Sequence, residues 1–375
     1  MRSADDNPTT GAPVGEAWLR ALPDRSPPPL AGDSTYDALL VVSFGGPEGP
    51  DDVLPFLENV LRGKPVPRER LLEVAEHYYH FGGVSPLNAQ NRDLIAALER
   101  ELAAHGPRLP IYWGNRNWRP LLSDALEQMA RDGVRRALAF FTSAYSSYSG
   151  CRQYRENVAD AQAPLGAAAP AVDKLRVFHN HPLFISAWTD RLTSALARLP
   201  AERRGSAELI FTAHSIPQAM ADSCRYVAQL ESTAGLLAAA LGRASWTLAY
   251  QSRSGSPTQP WLEPDIGDAL ERMAAAPGTR DVVVAPIGFL SDHMEVLYDL
   301  DVEARERADR LGLNLERAAT VGSHPLFVRM IRELIVERMA PGAERPALGE
   351  LGPSHDVCPA NCCPSGRPAS KPPAI

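Results

Sequence analysis

The chain has 375 residues, a formal net charge of −7 at pH 7 and 45% hydrophobic residues, which together fit a soluble globular protein of about two domains. The negative charge excludes the basic footprint of a nucleic-acid-binding protein, and the lack of an apolar run of 18 residues argues against a transmembrane segment. Residues 1–34 are rich in Pro and lack the apolar stretch of a signal peptide. We predict a flexible leader and a cytoplasmic protein, expected to be a monomer.

From residue 36 onward, short apolar runs alternate with helical patterns, and several stretches occur twice. HPLF at 181–184 returns 143 residues later at 324–327, and YWGNRN at 112–117 is matched by AYQSRS at 249–254. LLVVSFGGP at 39–47 is likewise matched by LIFTAHSIP at 209–217. Repeats in the same order indicate a duplicated unit, and the alternation predicts an α/β fold with parallel sheets covered on both faces.

The repeat predicts domain boundaries and the position of a cleft. We place the first domain at residues 35–178, with an inserted segment at about 50–90, and the second at 179–340. Ligands bind beyond the carboxyl ends of parallel strands, so residues that follow the strands should converge on one cleft between the domains. These residues are Phe44–Gly46, Ala144–Ser149, His214–Pro217, Gln251–Arg253 and Ser291–Glu295. Residues 341–375 are predicted to be an irregular tail unless their cysteines anchor it.

Two stretches of the first domain are candidate walls of the cleft. HYYHF at 77–81 and GGVSPLNAQN at 82–91 suggest a lid over a flat apolar ligand, where Ser85 is able to hydrogen-bond a carboxylate; a surface loop is the alternative. YWGNRNW at 112–118 gathers aromatic and guanidinium groups at a strand end, as expected for the wall of an aromatic-ligand pocket.

His214 and Glu295 are the candidate reactive pair. His214 ends the strand run of FTAHSIP, and Glu295 follows the apolar run VVVAPIGFL. Facing each other across a cleft, a His and a carboxylate suit Fe²⁺, Mn²⁺ or Zn²⁺, or act as a general base and its partner. Two protein ligands with open positions describe a transit site better than a structural one. The alternative is a His that only satisfies loop backbone.

Three acids follow one another at helical spacing in DHMEVLYDLDVE. Glu295, Asp299 and Glu303 would share one face of a helix, and such like-charge pairs oppose helix formation by roughly 0.2–0.5 kcal/mol each. A bound cation removes that repulsion. The pattern therefore predicts a path for a hydrated divalent cation or for protons, with a solvated helix face as the alternative.

The cysteines are unevenly placed. Cys358, Cys362 and Cys363 crowd into DVCPANCCPSG, whereas Cys151 and Cys224 lie far upstream. In a reducing compartment, clustered thiols more often bind a metal than form disulfides. The alternative is a dispensable tail with incidental thiols.

Five stretches together resemble the ferrochelatase family, whose members insert Fe²⁺ into a porphyrin in haem biosynthesis. They are LLVVSFGGPEGP, FGGVSPLNAQN, FTAHSIP, YQSRSGSPTQPWLEPD and PIGFLSDHMEVLYDLD. The resemblance covers residue 36 to about 340 and is closest to the actinobacterial branch, which is associated with coproporphyrin III rather than protoporphyrin IX. It implies two Rossmann-like, chelatase-type domains related by a pseudo-twofold, with the active cleft between them.

The resemblance also implies residue roles. His214 and Glu295 match the catalytic pair that binds the Fe²⁺ substrate, and Asp299 and Glu303 match the line of acids behind it. The implied porphyrin-binding residues are Ser85, Tyr154, Phe44, Arg116, Asn117 and Tyr250. Phe44 departs from relatives whose Tyr ligates the product iron, so product iron is expected to lack that ligand here.

Some members of the family carry a [2Fe–2S] cluster held by one mid-chain Cys and three near the C-terminus. By resemblance, Cys151, Cys358, Cys362 and Cys363 supply its four thiolates, and Cys224 is a spare or a replacement ligand. Competing functions are the same reaction on protoporphyrin IX, insertion of cobalt or nickel into sirohydrochlorin, and a non-catalytic haem or porphyrin carrier. A His–Glu pair argues against the second, which centres on two histidines, and the acid path argues against the third.

Overall fold

The computed structural model describes residues 36–63, 66–254, 258–340 and 342–366, and the predicted leader lies outside them. Within this part of the chain, two four-stranded sheets contain only parallel pairs. The first sheet consists of β1 (Ala38–Ser43), β2 (Ile111–Asn115), β3 (Arg136–Phe141) and β4 (Ala171–Lys174), in the order β2-β1-β3-β4. The second consists of β5 (Glu208–His214), β6 (Thr247–Gln251), β7 (Asp281–Ala285) and β8 (Asn314–Arg317), in the order β6-β5-β7-β8.

Helices connect the strands in both halves. In the first half they are α1 (Pro50–Val60), α2 (Arg68–His80), α3 (Leu87–His105), α4 (Leu122–Arg131) and α5 (Gln153–Gln162). From there on they are α6 (Pro182–Ala197), α7 (Gln218–Ala221), α8 (Tyr226–Ala240), α9 (Ile266–Ala275), α10 (Met294–Val296), α11 (Arg305–Arg310) and α12 (Pro325–Met339). Two π-helical segments of the described chain lie at Tyr148–Arg152 and Leu297–Ala304.

The predicted duplication is confirmed by the matching strand order of the two sheets. The repeated HPLF stretch performs the same task twice. His181 accepts a hydrogen bond from the Leu183 amide at the start of α6, and His324 accepts one from the Leu326 amide at the start of α12. Each His thus caps a helix whose first residue is Pro, the residue whose missing N–H is unneeded there.

Both sheets are covered on both faces, which confirms the predicted fold class. Along β1, Leu39 and Val41 face a central core, whereas Leu40 and Val42 face a separate outer cluster. Residues of β5 and β7 alternate in the same way between the central core and a second outer cluster. This alternation makes strands buried on both sides read as continuous apolar runs.

The two halves share the central core. The Phe140 ring on β3 lies 5.6 Å from Phe178 and 6.2 Å from Phe327 of α12, centroid to centroid. Aromatic contacts thus join the first sheet to the last helix of the second half. The domain boundaries at 178–179 and at 340 stay predictions.

The described part of the tail, residues 342–366, contains turns but no helix or strand, as its composition predicts. Hydrogen bonds hold it against the body of the protein. The buried Asn180 amide donates to the carbonyls of Leu348 (2.9 Å) and Gly352 (3.0 Å), and the Lys174 ammonium donates to the His355 carbonyl (3.4 Å). The tail is therefore irregular and docked.

Part of the predicted lid at 82–91 is helical. Residues from Leu87 onward are the first turns of α3, and the side-chain amides of Asn88 and Asn91 are buried. Asn88 donates to the Gly46 carbonyl (3.3 Å) and Asn91 to the Ser43 hydroxyl (2.9 Å). These two residues satisfy buried groups near the end of β1 and so support the sheet, and the covering role of the stretch stays a prediction.

Among the described residues, no helix combines the length and the apolar character needed to cross a bilayer.

Candidate active site

The loop after β7 brings the acidic stretch to the end of β5. The Gly288 amide donates to the Thr212 carbonyl (3.0 Å) as the loop crosses this strand. A Cβ at Gly288 would lie 2.6 Å from both Cα and Cβ of Ala213, so a larger residue would push the loop away. The close crossing delivers Glu295 to the tip of the strand that ends in His214.

His214 and Glu295 meet at this tip. The imidazole Nε2 lies 3.7 Å from the Glu295 Oε1, and the side chains remain 31% and 47% exposed. His214 Nδ1 contacts the Ser215 carbonyl oxygen. A proton on Nδ1 for that contact leaves the Nε2 lone pair directed at the carboxylate, which is the arrangement of a metal-ligating His. The pair is open to a third group.

Asp299 lies behind Glu295 in a less exposed position. The Ser252 hydroxyl donates to its Oδ2, and the Gln251 amide donates both to Oδ2 (3.3 Å) and to the Glu295 carbonyl (2.8 Å). Burial and the neighbouring Glu295 and Glu303 together raise the pKa of Asp299 from 3.8 to about 7, against the hydrogen bonds from Ser252 and Gln251, which lower it. This carboxyl can gain and lose a proton near neutral pH.

Ser252 holds its position in a strained backbone. Its φ of 61° lies in the left-handed region that favours glycine. Residues with side chains occupy that region when their surroundings hold them there, and such residues cluster at functional sites. Here the gain is the hydroxyl contact to Asp299.

Glu295, Asp299 and Glu303, here called the acid ladder, run from α10 into a π-helix, which is wider than an α-helix. We predicted a regular helix, but residues 297–304 wind as a π-helix between α10 and α11. The carboxylates of Glu295, Asp299 and Glu303 remain close together, close enough for both glutamates to raise the pKa of Asp299. Burial, Asp265 and Glu306 raise the pKa of Glu303. π-Helical segments of this kind frequently occur at functional sites.

Helices of the first half close over the ladder. The His77 ring stacks on Tyr298 with centroids 3.7 Å apart, and burial beside Glu295 raises the pKa of Tyr78. Further along, the Gln90 side chain accepts from the Asp292 amide (3.0 Å) and donates to its carbonyl (3.3 Å). The acids therefore lie between the two halves, as the predicted cleft requires.

Phe44, Arg116 and Asn117 form a second wall at the end of β1. Phe44 is 37% exposed, and the Arg116 guanidinium lies 5.7 Å from its ring centroid. The Asn117 side-chain amide donates to the Phe44 carbonyl (3.2 Å). An exposed aromatic ring beside a cation is suited to a flat anionic ligand.

Three other predicted ligand contacts are buried. Ser85 packs against Gly46, its hydroxyl accepting from the Leu87 amide (3.4 Å) at the start of α3. Tyr154 is 5% exposed, beneath Arg116 at 4.5 Å. Tyr250 is also buried in the central core, because strand alternation turns it to the face opposite its neighbour Gln251. The structure does not bring Tyr250 to the carboxylates, and its porphyrin contact stays a prediction.

Comparison with known proteins identifies the family of the chain. Residues 36–339 match the family profile described as ferrochelatase. The chain belongs to the ferrochelatase family. It is 58% identical over 328 residues to a protein named ferrochelatase from Rhodopirellula baltica, covering 88% of this chain and 93% of the relative. It is 53% identical over 365 residues to a coproporphyrin III ferrochelatase from Streptomyces coelicolor, covering 91% and 96%.

Among solved structures, this ferrochelatase-family chain is similar to the sirohydrochlorin chelatase SirB from Bacillus subtilis subspecies spizizenii in complex with cobalt. The TM-score is 0.47 at 12% sequence identity, covering 80% of this chain and 94% of that chain.

The ferrochelatase-family chain also gathers its cysteines at a second site. Cys151, in the π-helical segment before α5, lies close enough to Cys358 of the tail for each thiol to shift the pKa of the other. The Cys362 Sγ lies 3.5 Å from the Cys363 Sγ. Cys224 lies close enough for its charge to affect Cys363, while its thiol donates to the Met220 carbonyl (3.2 Å). The predicted four thiols thus lie together as two close pairs, with Cys224 at their edge.

Cations surround the thiol cluster. The neighbouring Cys151 is the chief cause that lowers the pKa of Cys358, and the charges of Lys174 and Arg155 lower it further, against burial. Lys174 is itself buried and reaches the tail through the His355 carbonyl. A buried cation beside the thiols of Cys151 and Cys358 fits an anionic, thiolate-ligated metal centre.

The sequence did not predict two residues of these sites, Tyr78 beside Glu295 and His355 beside the thiols. Only His355 has a sequence signal that could have identified it. Tyr78 lies in HYYHF, but its position beside Glu295 depends on how α2 packs, which no local signal gives. His355 stands three residues before Cys358, a spacing that could have added it to the cluster. Its Nε2 lies 3.6 Å from the Cys362 Sγ.

Proposed function

We propose that this protein inserts Fe²⁺ into coproporphyrin III. Its membership of the ferrochelatase family supports the reaction, and the 53% identical relative from Streptomyces coelicolor, named for coproporphyrin III, supports the substrate. The observation that carries the proposal is the open His214–Glu295 pair, 3.7 Å apart at the tip of β5.

In this proposal the pair binds the incoming iron. The imidazole Nε2 and a carboxylate oxygen of Glu295 suit Fe²⁺, and both side chains are exposed enough to receive it. Two protein ligands leave positions for water and then for the pyrrole nitrogens. The metal is therefore held loosely enough to leave for the porphyrin.

The acids behind the pair take up the protons. Two pyrrole N–H protons must leave as the metal enters, and a carboxyl with a pKa of about 7 accepts and releases protons efficiently at neutral pH. Asp299 has that pKa, and Glu303 continues the ladder away from the cleft.

Phe44 and Arg116 form the wall on which the macrocycle rests, with Arg116 facing its propionates.

The substrate is tested by anaerobic Fe²⁺ insertion with coproporphyrin III and protoporphyrin IX in parallel. We expect a kcat/KM at least about 10-fold higher for coproporphyrin III, a difference of about 1.4 kcal/mol in transition-state binding. Equal or reversed values would overturn the substrate assignment and favour the same reaction on protoporphyrin IX. No insertion into either porphyrin would overturn the reaction itself.

We also propose that Cys151, Cys358, Cys362 and Cys363 hold a [2Fe–2S] cluster, supported by the two thiol pairs and the adjacent Lys174. Bound there, the cluster would supply a one-electron redox centre. Four thiolates are what it requires, and the tail contacts bring them to one place. The cytoplasmic location remains a prediction consistent with free thiols.

The ligand set is tested by Cys358→Ser in the full chain. The variant is expected to lose the visible absorption and the acid-labile sulfide of the cluster. Cys224→Ser is the matched control and should retain both, because this thiol is engaged with the Met220 carbonyl. A Cys358→Ser protein with full cluster content, or a Cys224→Ser protein without it, would reject the set.

A further inference from the structure

His355 of the tail lies beside the two thiol pairs, Cys151 with Cys358 and Cys362 with Cys363. Its Nε2 is 3.6 Å from the Cys362 Sγ. The ligand atoms of His355, Cys358 and Cys362 all lie within 4.8 Å of one another. The imidazole thus lies within 4.8 Å of one thiol of each pair, Cys358 of the pair with Cys151 and Cys362 of the pair with Cys363.

The backbone of His355 is held by a hydrogen bond from the interior of the protein. Its carbonyl accepts from the buried Lys174 ammonium at 3.4 Å, while its ring is on the exposed side of the cluster. Lys174 therefore approaches the thiols from the interior, and His355 covers them from the solvent side.

Four thiolates complete the coordination of two irons, two for each, so the imidazole has no vacant position to fill. A neutral imidazole carries one N–H, and a thiolate sulfur is an acceptor. Such a hydrogen bond stabilises the negative charge that builds on the sulfurs when the cluster is reduced. It thereby favours the reduced state.

We infer that His355 is a positioning residue of the cluster, sharing its Nε2–H between the thiolates of Cys358 and Cys362 and thereby raising the reduction potential. The inference rests on the proposed [2Fe–2S] centre. It assigns to His355 an effect on the electron affinity of the metal centre, and it assigns no part in iron insertion.

The test is an anaerobic redox titration of the full-length protein, followed by visible absorption and EPR. His355→Phe keeps a planar ring and removes the N–H, so its midpoint potential should be more negative than that of the parent. His355→Gln retains an N–H donor and should lie between the two. Val357→Ala changes a neighbouring side chain that is 75% exposed and should leave the potential unchanged.

The outcomes separate this inference from the proposed cluster. A parent protein without a [2Fe–2S] spectrum would refute the cluster and the inference with it. A parent with the cluster, and a His355→Phe variant with the same potential, would overturn the inference alone. Loss of the cluster from both His355 variants would make the imidazole a ligand, which also contradicts it. An equally large shift of the midpoint potential in Val357→Ala would show that any disturbance of the tail lowers the potential, which would overturn the inference.

Discussion

At the scale of single residues, burial decides what the carboxylates of the ladder do. Glu295 is half exposed and Asp299 is largely enclosed, although the two are four positions apart on the same segment. Enclosure raises the pKa of Asp299 to about 7. One carboxylate is then available as a ligand, and the other as a proton acceptor.

The raised pKa predicts how Asp299→Asn changes stability with pH. Below the ordinary carboxyl pKa of 3.8 the group is protonated in both the folded and the unfolded chain, so the variant and parent should differ little. Between pH 4 and 7 only the unfolded chain loses the proton, so the parent loses stability relative to Asp299→Asn. The difference in unfolding free energy should grow to at most roughly 4 kcal/mol and level off above pH 7.

Denaturant unfolding from pH 4 to 8 measures this difference. Asp309→Asn, a change at an exposed position of the following helix, is the control and should show no such trend. A pH-independent difference for Asp299→Asn would contradict the assigned protonation of Asp299.

At the scale of elements, an arginine ties the loop that leads to Glu295 to the π-helix. Arg317, the last residue of β8, binds Asp301 through Nε (2.6 Å) and Nη2 (2.8 Å), and Asp292 through Nη1 (2.7 Å). Asp292 is also the residue whose backbone pairs with Gln90 of α3. The chain of contacts runs from the first half, through the loop, to the ladder.

Removing Arg317 should therefore destabilise the fold more than removing a surface arginine. The Arg317 side chain is 13% exposed, and Arg317→Met leaves two half-buried carboxylates without their cation. We expect a loss of about 2–4 kcal/mol in unfolding free energy. Arg310→Met removes an arginine that is 68% exposed in its pair with Glu306, and should cost less than about 1 kcal/mol. Equal midpoints in urea for both variants would contradict this account of the loop.

At the scale of the whole molecule, sequence was most informative where a signal is local and repeated. Strand ends and the HPLF helix caps recur in both halves, so the duplicated fold followed from them. The π-helix did not, because acids four residues apart suit an α-helix equally well. Burial of Tyr250 depends on the strand's facing, and the place of His355 depends on the tail's path over Lys174. Such features need tertiary packing.

The central claim is that His214 and Glu295 transfer iron to the porphyrin. It is tested most directly by anaerobic single-turnover Fe²⁺ insertion into coproporphyrin III, with porphyrin affinity measured separately by fluorescence quenching. His214→Ala and Glu295→Gln should each slow insertion by about 100-fold or more, since each removes a group that we propose binds the metal. Porphyrin affinity should stay within about 3-fold, a change of under 1 kcal/mol. His105→Ala, an exposed histidine at the end of α3, should insert iron at the parent rate. Parent-like insertion by His214→Ala or Glu295→Gln would contradict the account.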